Sequence, residues 1–597
     1  MKKQLTQFVL TALILFGSQS CFDLEEEAFN RVSAGIYYQD ENSVKGAVAA
    51  IYESGFMSYI EYFWYLQEFS ADQITWRVWN GGAWGWDEGE KYVLGSHTWA
   101  PNSTIIRKTW ESSWTTIGLC NTLIEDLQKL DPATLRMSRE ALDKYIAEVQ
   151  TLRVWAYYNI YEIWGGALPL NTSTSGEIPP SADPNFDEGC KKIYQFMTSE
   201  LDACVEALPK NSVNRMNQAV NRIIKARLLL NANVFIKEDK FAECATLCQR
   251  ILDGDFGTYS LAENYQDIYT IGNVSCPEVI MAFATEVGQM NGGWMRNMPF
   301  VAYNYQEYIG GAYSGVDAWN CVCLVPSFDN SGTVQPTGGS TGARCFLEAP
   351  YNDKLGAPYE RLDNRDVRKQ NFVYDARTKT YKGLFLKGPV KAGYGTGAAL
   401  KADADRDGQD LVYVDQVGTF LGIGRPLEPV MSPRWGETNS GVRFIKYPMF
   451  PPSEGVDFRD IDEVEFRLAE VVYMLAECKL RAGDADEAKR LVNTIRKRYF
   501  TAADWATVEN TPGPGFAAFD LDWMLSQWGL EFLGEGRRRR TDLRRFDKFT
   551  QGQWWFHGRA TDEGLALPAA RNRKYEWFPL PETALMVNPG LVQNPNY

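Results

Sequence analysis

The chain has 597 residues, 45% of them apolar and 13% aromatic, which is enough to bury an extensive core in roughly two to four domain-sized units. The formal net charge of −15 argues against nucleic acid as a partner, because nucleic-acid binders carry a basic surface. With only His97 and His557 present, a histidine-rich metal site is excluded.

The first residues have the layout of a secretory signal. Two lysines precede the apolar run 8–16, and a short polar stretch leads to Cys21. The run is too short to span a bilayer, which takes roughly 20 apolar residues. The boundary is similar to a bacterial lipoprotein signal, and the acidic residues 23–27 are similar to the surface-export signal of Bacteroidetes lipoproteins. We therefore expect residues 1–20 to be removed and Cys21 to be lipidated, with ordinary cleavage as the alternative.

Amphipathic helices are predicted in pairs along most of the chain. In each segment apolar residues recur at the spacing of one helix face. The pairs are 42–57 with 107–128, 139–163 with 187–207, 218–236 with 241–252, and 463–481 with 485–498. Small residues at the contact positions of the last two pairs allow close packing, as in tetratricopeptide hairpins. The sequence thus predicts a mainly α scaffold.

A tryptophan-rich loop, residues 70–106, lies between the members of the first pair. Trp76, Trp79, Trp84 and Trp86 stand among glycines and carboxylates and follow neither the helical nor the strand period. Long loops of this kind are usually functional or disordered, and the aromatic content disfavours disorder. The loop is therefore a candidate binding element, although tryptophans that pack it onto the scaffold would give the same pattern.

Residues 255–462 differ in composition from the helical segments. They are rich in Gly, Tyr, Trp and Asp, which predicts short strands, short helices and loops. Within them Asp403, Asp405 and Asp407 reproduce the start of a calcium loop, in which alternate carboxylates converge. Val414 occupies the position of the bidentate glutamate, so an EF-hand is excluded. A looser calcium site and a solvated acidic turn remain alternatives.

The cysteine pairs and a run of basic residues also predict local structure. Cys244 and Cys248 lie four residues apart on a predicted helix, which predicts buried free thiols, whereas the Cys321/Cys323 pair leaves a disulfide open. The basic run 537–540 sits beside Glu531, Glu535 and Asp542, which predicts a solvated, ion-paired helix face.

Five segments resemble the SusD/RagB family in the same order along the chain. They are residues 148–170, 199–209, 467–498, 529–546 and the ending 591–597. The resemblance extends over essentially the whole mature chain. It implies a SusD-like fold of four tetratricopeptide-like helix pairs with a large, irregular, loop-rich insertion. The corresponding division is 21–254 for the N-terminal helical part, 255–462 for the variable ligand-binding region and 463–597 for the C-terminal part.

The resemblance also implies a role. Members of this family are surface lipoproteins of the outer membrane that capture a nutrient, usually a glycan, and act as a lid on a SusC-like TonB-dependent transporter. It implies no catalytic activity and no required cofactor, with calcium as the one cofactor that the acidic turn suggests.

Ligand-binding positions follow from the resemblance as well. In glycan-binding members, polar and stacking groups follow the first helix, and a second aromatic set comes from the variable middle. The matching residues here are Asp72, Arg77, Trp79, Asn80, Trp84, Trp86, Tyr303, Tyr305, Tyr313, Trp319 and Asn320. An exposed indole beside polar groups suits a sugar, whose ring has an apolar C–H face and a rim of hydroxyls.

Two other functions remain as alternatives. A capture protein for a non-glycan nutrient such as a peptide would fit the same family. A glycoside hydrolase would need two carboxylates flanking the scissile bond, for which Asp72, Asp87, Glu88 and Glu90 are the candidates. No nucleophile with its base is evident, so we expect a binding protein and not an enzyme.

Overall fold

The computed structural model describes most of the chain outside the leader. The described residues are 34–78, 85, 87–174, 176–289, 300–301, 305–325, 355–401, 410–413, 415, 438, 440–535, 538–552 and 572–597, with the backbone of Val334–Pro336 and Ala343–Cys345.

Ten helices form the scaffold within these residues. They are α1 Glu41–Ser58, α2 Thr104–Lys129, α3 Arg139–Trp164, α4 Phe186–Cys204, α5 Gln218–Leu230, α6 Phe241–Leu252, α7 Leu468–Arg481, α8 Ala485–Arg496, α9 Leu521–Glu531 and α10 Arg539–Arg545. The fold is mainly helical, as the sequence predicted. The bounds of α6 coincide with the prediction, and those of α1, α3 and α4 differ from it by at most three residues.

The helices pack as four successive pairs, α1/α2, α3/α4, α5/α6 and α7/α8. Helix α2 also packs on α3, and α6 packs on α7, so the pairs form a continuous array. Most of the small and apolar residues at the predicted contacts of the last two pairs are buried, among them Leu228, Ala232 and Ala476, whereas Ala245, Leu252 and Leu480 are partly buried. The four-pair scaffold expected from the resemblance is therefore present.

Short polar side chains set where the helices begin. The side chains of Ser103, Ser138, Asn185, Asn217 and Asp484 each accept a hydrogen bond from a backbone N–H in the first turn of the following helix. These bonds satisfy N–H groups that have no partner inside the helix. The start of most scaffold helices is thus a local property of the sequence.

One glycine contact fixes the crossing of α3 and α4. A Cβ on Gly166, just after α3, would lie 1.8 Å from the carbonyl oxygen of Phe186, and one on Gly189 would lie 2.3 Å from the oxygen of Gly166. Both distances are far below any real contact, so the two backbones can approach only because both residues lack a side chain.

Five strands organise the middle of the chain around this scaffold: β1 Ile74–Trp76, β2 Val279–Phe283, β3 Val322–Leu324, β4 Arg443–Phe444 and β5 Glu463–Arg467. β5 pairs antiparallel with β2, and all five of its residues are buried. The helix predicted over 463–481 is therefore wrong for its first five residues. Val464 and Phe466 favour a strand once a partner strand is available, and that partner lies about 180 residues earlier.

The remaining elements are short. The helices are Ala34–Tyr37, Trp64–Glu68, Tyr92–Ser96, Ala232–Phe235, Tyr305–Ile309, Pro358–Arg361, Ala392–Gly395, Ala502–Val508, Lys548–Gln551 and Glu582–Val587, with a π-helical turn at Tyr59–Phe63. The strands are Val334–Pro336, Ala343–Cys345, Val373–Asp375, Thr380–Lys382, Phe385–Leu386, Gly388–Pro389 and Val412–Tyr413. Across the described ranges, no helix has both the length and the apolar character needed to cross a membrane.

Within the basic run 537–540, the described residues 538–540 do not form a solvated face. Arg539 and Arg540 are buried, and Arg538 is largely so. Arg538 does form ion pairs, with Glu470 at 2.7 Å and with Asp542 at 3.5 Å, so the predicted pairing is present in part. Burial was missed because the last turns of the chain cover α10, which no local pattern shows.

Glu531, which stands beside that run in the sequence, belongs to a separate, buried ring of ion pairs. Glu531 and Glu278 are each bonded by both Arg467 and Arg498, at N–O distances between 2.6 and 3.0 Å. The four side chains are at most 4% exposed. This ring joins residues next to β2, β5, α8 and α9, so it links the variable middle to the C-terminal helices.

The cysteine prediction is confirmed for the helical pair. Cys244 and Cys248 are buried free thiols whose sulfurs lie 3.9 Å apart. Cys321 and Cys323 are also buried and free, so the disulfide left open for them is absent.

Candidate functional site

Strand pairing brings the tryptophan-rich loop and the middle of the chain together. β1 pairs antiparallel with β3, with Trp76 opposite Val322. The backbone N–H of Arg77 then donates to the carbonyl of Cys321 at 2.6 Å. The two segments that the resemblance assigned to one site, about 240 residues apart, therefore share one structural unit.

An aromatic and cationic cluster lies at this junction. The rings of Trp76 and Trp319 meet edge to face, with centroids 6.2 Å apart. The ammonium group of Lys91 lies 4.2 Å from the centroid of Trp76 and 5.8 Å from that of Trp319, and it is paired with Asp87. Trp76 is buried and Trp319 is half-buried, so Trp319 is the ring of the pair that retains an accessible surface.

Sequence reasoning missed Lys91, although it lies within the tryptophan-rich stretch. Its position four residues after the oppositely charged Asp87 is the signal that could have identified it, although Asp87 and Glu88 have left-handed φ values and the pair does not lie on a regular helix.

A buried, hydrogen-bonded group formed by Asn320, Arg77 and Arg443 adjoins this cluster. Asn320 has a left-handed backbone (φ 52°), which asparagine tolerates better than most residues. Its side-chain oxygen accepts hydrogen bonds from Arg77 at 3.0 Å and from Arg443 on β4 at 2.7 Å. Both guanidinium groups are fully buried, and burial together with the charge of Arg77 lowers the pKa of Arg443 to about 10. Arg77 and Asn320 thus hold the strands in position from inside the protein.

Gly85 anchors the tryptophan-rich loop against Trp76 and Cys321. Its carbonyl accepts a hydrogen bond from the indole of Trp76 at 2.7 Å. Its φ of +72° is a left-handed value, and a Cβ there would lie 2.7 Å from the sulfur of Cys321. Burial raises the pKa of that thiol to about 12, so it stays protonated and acts as packing. Only glycine fits this position without displacing the loop.

Asp72 has an internal partner. Its carboxylate accepts two hydrogen bonds from Arg539, at 2.7 and 2.8 Å, and one from the backbone of Gly356 at 2.9 Å. The side chain is 1% exposed. In this structure Asp72 links the start of the loop to α10 and presents no surface to a ligand.

Tyr305 and Tyr313 are also internal. Their rings stack with centroids 6.3 Å apart, and both are buried. Tyr305 donates to the carbonyl of Val316 at 3.2 Å, and Tyr313 donates to that of Phe450 at 2.5 Å. They shape the segment that carries Trp319 without reaching the surface themselves.

Several predicted positions lie outside the described residues: Trp79, Asn80, Trp84, Trp86, Tyr303, Cys21 and the calcium candidates Asp403, Asp405 and Asp407. Their roles stay predictions. In the part of the chain that is described, no cluster of three or more His, Cys, Asp or Glu side chains is arranged to hold a metal.

The carboxylates named for a hydrolase mostly have structural partners. Asp72 and Asp87 are ion-paired. Glu90 accepts hydrogen bonds from the side chain of Ser103 at 2.6 Å and the backbone of Thr104 at 2.8 Å, so it stabilises the start of α2. Three of the four candidate carboxylates, Asp72, Asp87 and Glu90, therefore have structural roles in this fold.

Comparison with known families identifies the class of protein to which this fold and site belong. A model of the SusD family matches residues 277–597, more than half of the chain. The chain therefore belongs to the SusD family.

Individual relatives agree with this assignment along nearly the whole chain. The starch-binding protein SusD of Bacteroides thetaiotaomicron is 23% identical over 86% of this chain and 83% of its own length. The SusD-like protein P38 of Formosa agariphila is 21% identical over 99% of this chain and 98% of its own length.

Solved structures show the same fold. Surface glycan-binding protein A of Bacteroides uniformis superposes with a TM-score of 0.59 at 16% identity, covering 93% of this chain and 99% of that one. A laminarin-binding SusD-like protein superposes with a TM-score of 0.60 at 17% identity, covering 94% of this chain and all of that one.

Proposed function

We propose that this protein is a cell-surface lipoprotein that binds a polysaccharide or oligosaccharide and delivers it to a SusC-like TonB-dependent transporter. The observation that carries the glycan part is the pairing of β1 with β3, which places Trp319 next to the tryptophan-rich loop. Binding activities named for relatives, starch and laminarin, support the same ligand class.

In this proposal the loop tryptophans and Trp319 form the stacking surface. Trp79, Trp84 and Trp86 lie close in sequence to the described residues Trp76 and Gly85, and we assign to Asn80 hydrogen bonds with sugar hydroxyls. The buried set formed by Asp72, Arg77, Tyr305, Tyr313 and Asn320 holds β1, β3 and the segment with Trp319 in place, which lowers the ordering cost of binding.

Alanine substitutions test this platform. Trp79→Ala, Trp84→Ala and Trp319→Ala, singly and combined, are expected to weaken binding by about 1 to 3 kcal/mol for each stacking residue. Trp505→Ala is the matched control, because Trp505 is also half-buried but packs on Phe500 at another part of the chain. Calorimetry with a glycan panel measures affinity, and thermal unfolding checks that each variant is folded. Parent-like binding by all three variants would place the platform elsewhere.

The membrane anchor and the transporter partner need separate tests. Cys21→Ala is expected to leave the membrane fraction, because the acyl chains that Cys21 would carry add about 0.8 kcal/mol per buried methylene. Retention of that variant at the cell surface would contradict lipidation as the anchor. Co-purification of the parent with a SusC-like transporter from the same organism tests delivery, and a transporter isolated without this protein under mild detergent would contradict it.

Binding and incubation assays with the same protein distinguish two alternatives, a peptide-capturing protein and a glycoside hydrolase. A peptide pool that binds while every glycan fails would favour capture of a non-glycan nutrient. New reducing ends after incubation with polysaccharides would identify a hydrolase.

A further inference from the structure

A second groove lies on the scaffold, at a place that shares no residue with the site described above. Its volume is about 300 Å³, and it is bounded by α2, the loop that follows α3 and the C-terminal helix Glu582–Val587. The lining includes Trp110, Trp114, Asn171, Ile178 and Val587. Such a volume is far larger than one water molecule requires, so the groove is more than a packing defect.

Two indole rings form a rigid wall of this groove. Trp110 and Trp114 are half-buried, with centroids 5.5 Å apart and planes inclined at 58°. Trp110 meets the buried Trp164 edge to face at 5.1 Å, and Trp114 meets the buried Tyr157 in the same way at 5.7 Å. Each ring is therefore held by a perpendicular aromatic neighbour while part of its surface remains accessible.

Polar groups with fixed positions accompany the indoles. Within the described residues, the buried indole N–H of Trp114 has no hydrogen-bond acceptor. The backbone of Asn171 is held by Tyr157, whose hydroxyl accepts from its N–H at 2.8 Å and donates to its carbonyl at 2.9 Å. Among the described residues that line the groove, Glu111 is the one ionisable side chain, and Arg107 neutralises it with two bonds of 3.0 and 2.9 Å. The groove therefore favours a neutral ligand.

We propose that this groove is a second saccharide-binding site, which takes a neutral pyranose unit against the faces of Trp110 and Trp114. A pyranose matches both features, because its C–H face covers an indole while its hydroxyls pair with amide and carboxylate groups. A purely aliphatic ligand would displace water from Asn171 and Glu111 without replacing its hydrogen bonds, which carries a cost in free energy.

The inference rests on the proposed function for its ligand class, but it uses different residues. A polysaccharide long enough to reach both sites would bind twice and gain affinity through effective concentration, and a short oligosaccharide would not.

The experiment uses the full mature protein labelled with 5-fluorotryptophan, with the resonances of Trp110 and Trp114 assigned by single Trp→Phe variants. The probes are neutral hexasaccharides of glucose, mannose, xylose and galactose, and decanoate serves as the aliphatic probe. We expect at least one hexasaccharide to shift both resonances saturably. The shifts should persist in the Trp79→Ala/Trp84→Ala/Trp319→Ala protein.

Gly118→Leu blocks the groove without disturbing the core. Gly118 lines the groove on α2, and a Cβ there meets no atom within 4 Å. Gly46→Leu is the matched control, because Gly46 is an exposed helical glycine with the same open surroundings on α1. Gly118→Leu is expected to weaken the affinity measured at the groove at least about tenfold, equivalent to about 1.4 kcal/mol. Gly46→Leu should leave it unchanged.

Three results overturn the inference: no hexasaccharide shifts the two resonances, Gly118→Leu leaves the shifts intact, or decanoate alone produces them. A weaker overall glycan affinity of the triple variant, together with persistent groove shifts, supports both proposals. Groove shifts without any effect of the triple variant on binding would refute only the first platform.

Discussion

Replacing Asp72 by asparagine separates a structural from a ligand-binding role for this residue. The substitution keeps the shape of the side chain and removes its charge. The guanidinium of Arg539, itself only 9% exposed, then loses the carboxylate that it bonds at 2.7 and 2.8 Å. An ion left buried without its partner typically destabilises a protein by about 3 to 5 kcal/mol, because its desolvation is no longer offset. We expect Asp72→Asn to lose stability in this range.

Two further variants test that magnitude. Asp143→Asn breaks an ion pair with Arg139 of the same N–O length, 2.7 Å, but its side chains are 43% and 59% exposed, and we expect a loss below about 1 kcal/mol. Adding Arg539→Met to Asp72→Asn removes the uncompensated charge. The double variant is therefore expected to recover part of the stability lost by the single one.

Urea unfolding followed by tryptophan fluorescence measures these differences, provided that the slopes of the transitions match. Glycan affinity is measured on the folded protein in parallel. The reasoning fails if Asp72→Asn stays within about 1 kcal/mol of the parent while its glycan affinity drops, since that pattern would mean that Asp72 contacts the ligand.

Four other predictions follow from single features. Burial by itself would raise the pKa of Glu535, but its cationic partners lower it to about 2, so the stability it contributes is present above pH 4.5 and is lost as pH falls toward 2. Glu535→Gln should flatten the acid limb of a stability–pH curve by up to about 1.4 kcal/mol per pH unit, and an unchanged limb would contradict this role. Gly85→Ala should weaken glycan binding by displacing the loop, whereas Gly176→Ala, which has the same sign of φ but open space around it, should not, as calorimetry will show. Gly166→Ala should destabilise the chain by about 3 kcal/mol in urea unfolding, because the added Cβ meets backbone, and a loss near zero would mean that the helices separate freely. If residues 402–411 bind calcium, chelation should lower the melting temperature, and an unchanged melting temperature removes the site.

The loop itself shows where prediction from sequence reached its limit. Its aromatic content and lack of periodicity identified it as a candidate binding element, and the resemblance paired it with the segment containing Trp319. Sequence could not say which of these side chains face solvent, because burial depends on what the rest of the chain places against them. Trp76 is buried by contacts with Tyr65, Phe69 and Trp319, whereas Trp319 keeps part of its surface accessible.

Local sequence patterns were enough to predict most of the scaffold helices, and the sequence resemblance identified the family. Apolar spacing and N-terminal capping act within about four residues, so Ser138 and Asn185 set the starts of α3 and α4 whatever lies elsewhere in the chain. Tertiary structure alone decided the features that join distant segments. The pair of Asp72 and Arg539 spans 467 positions, and the strand Glu463–Arg467 exists because β2 supplies its hydrogen-bond partners. In sequence, a charged side chain predicts a surface position. Only the folded chain provides the counter-charge that allows such a side chain to be buried.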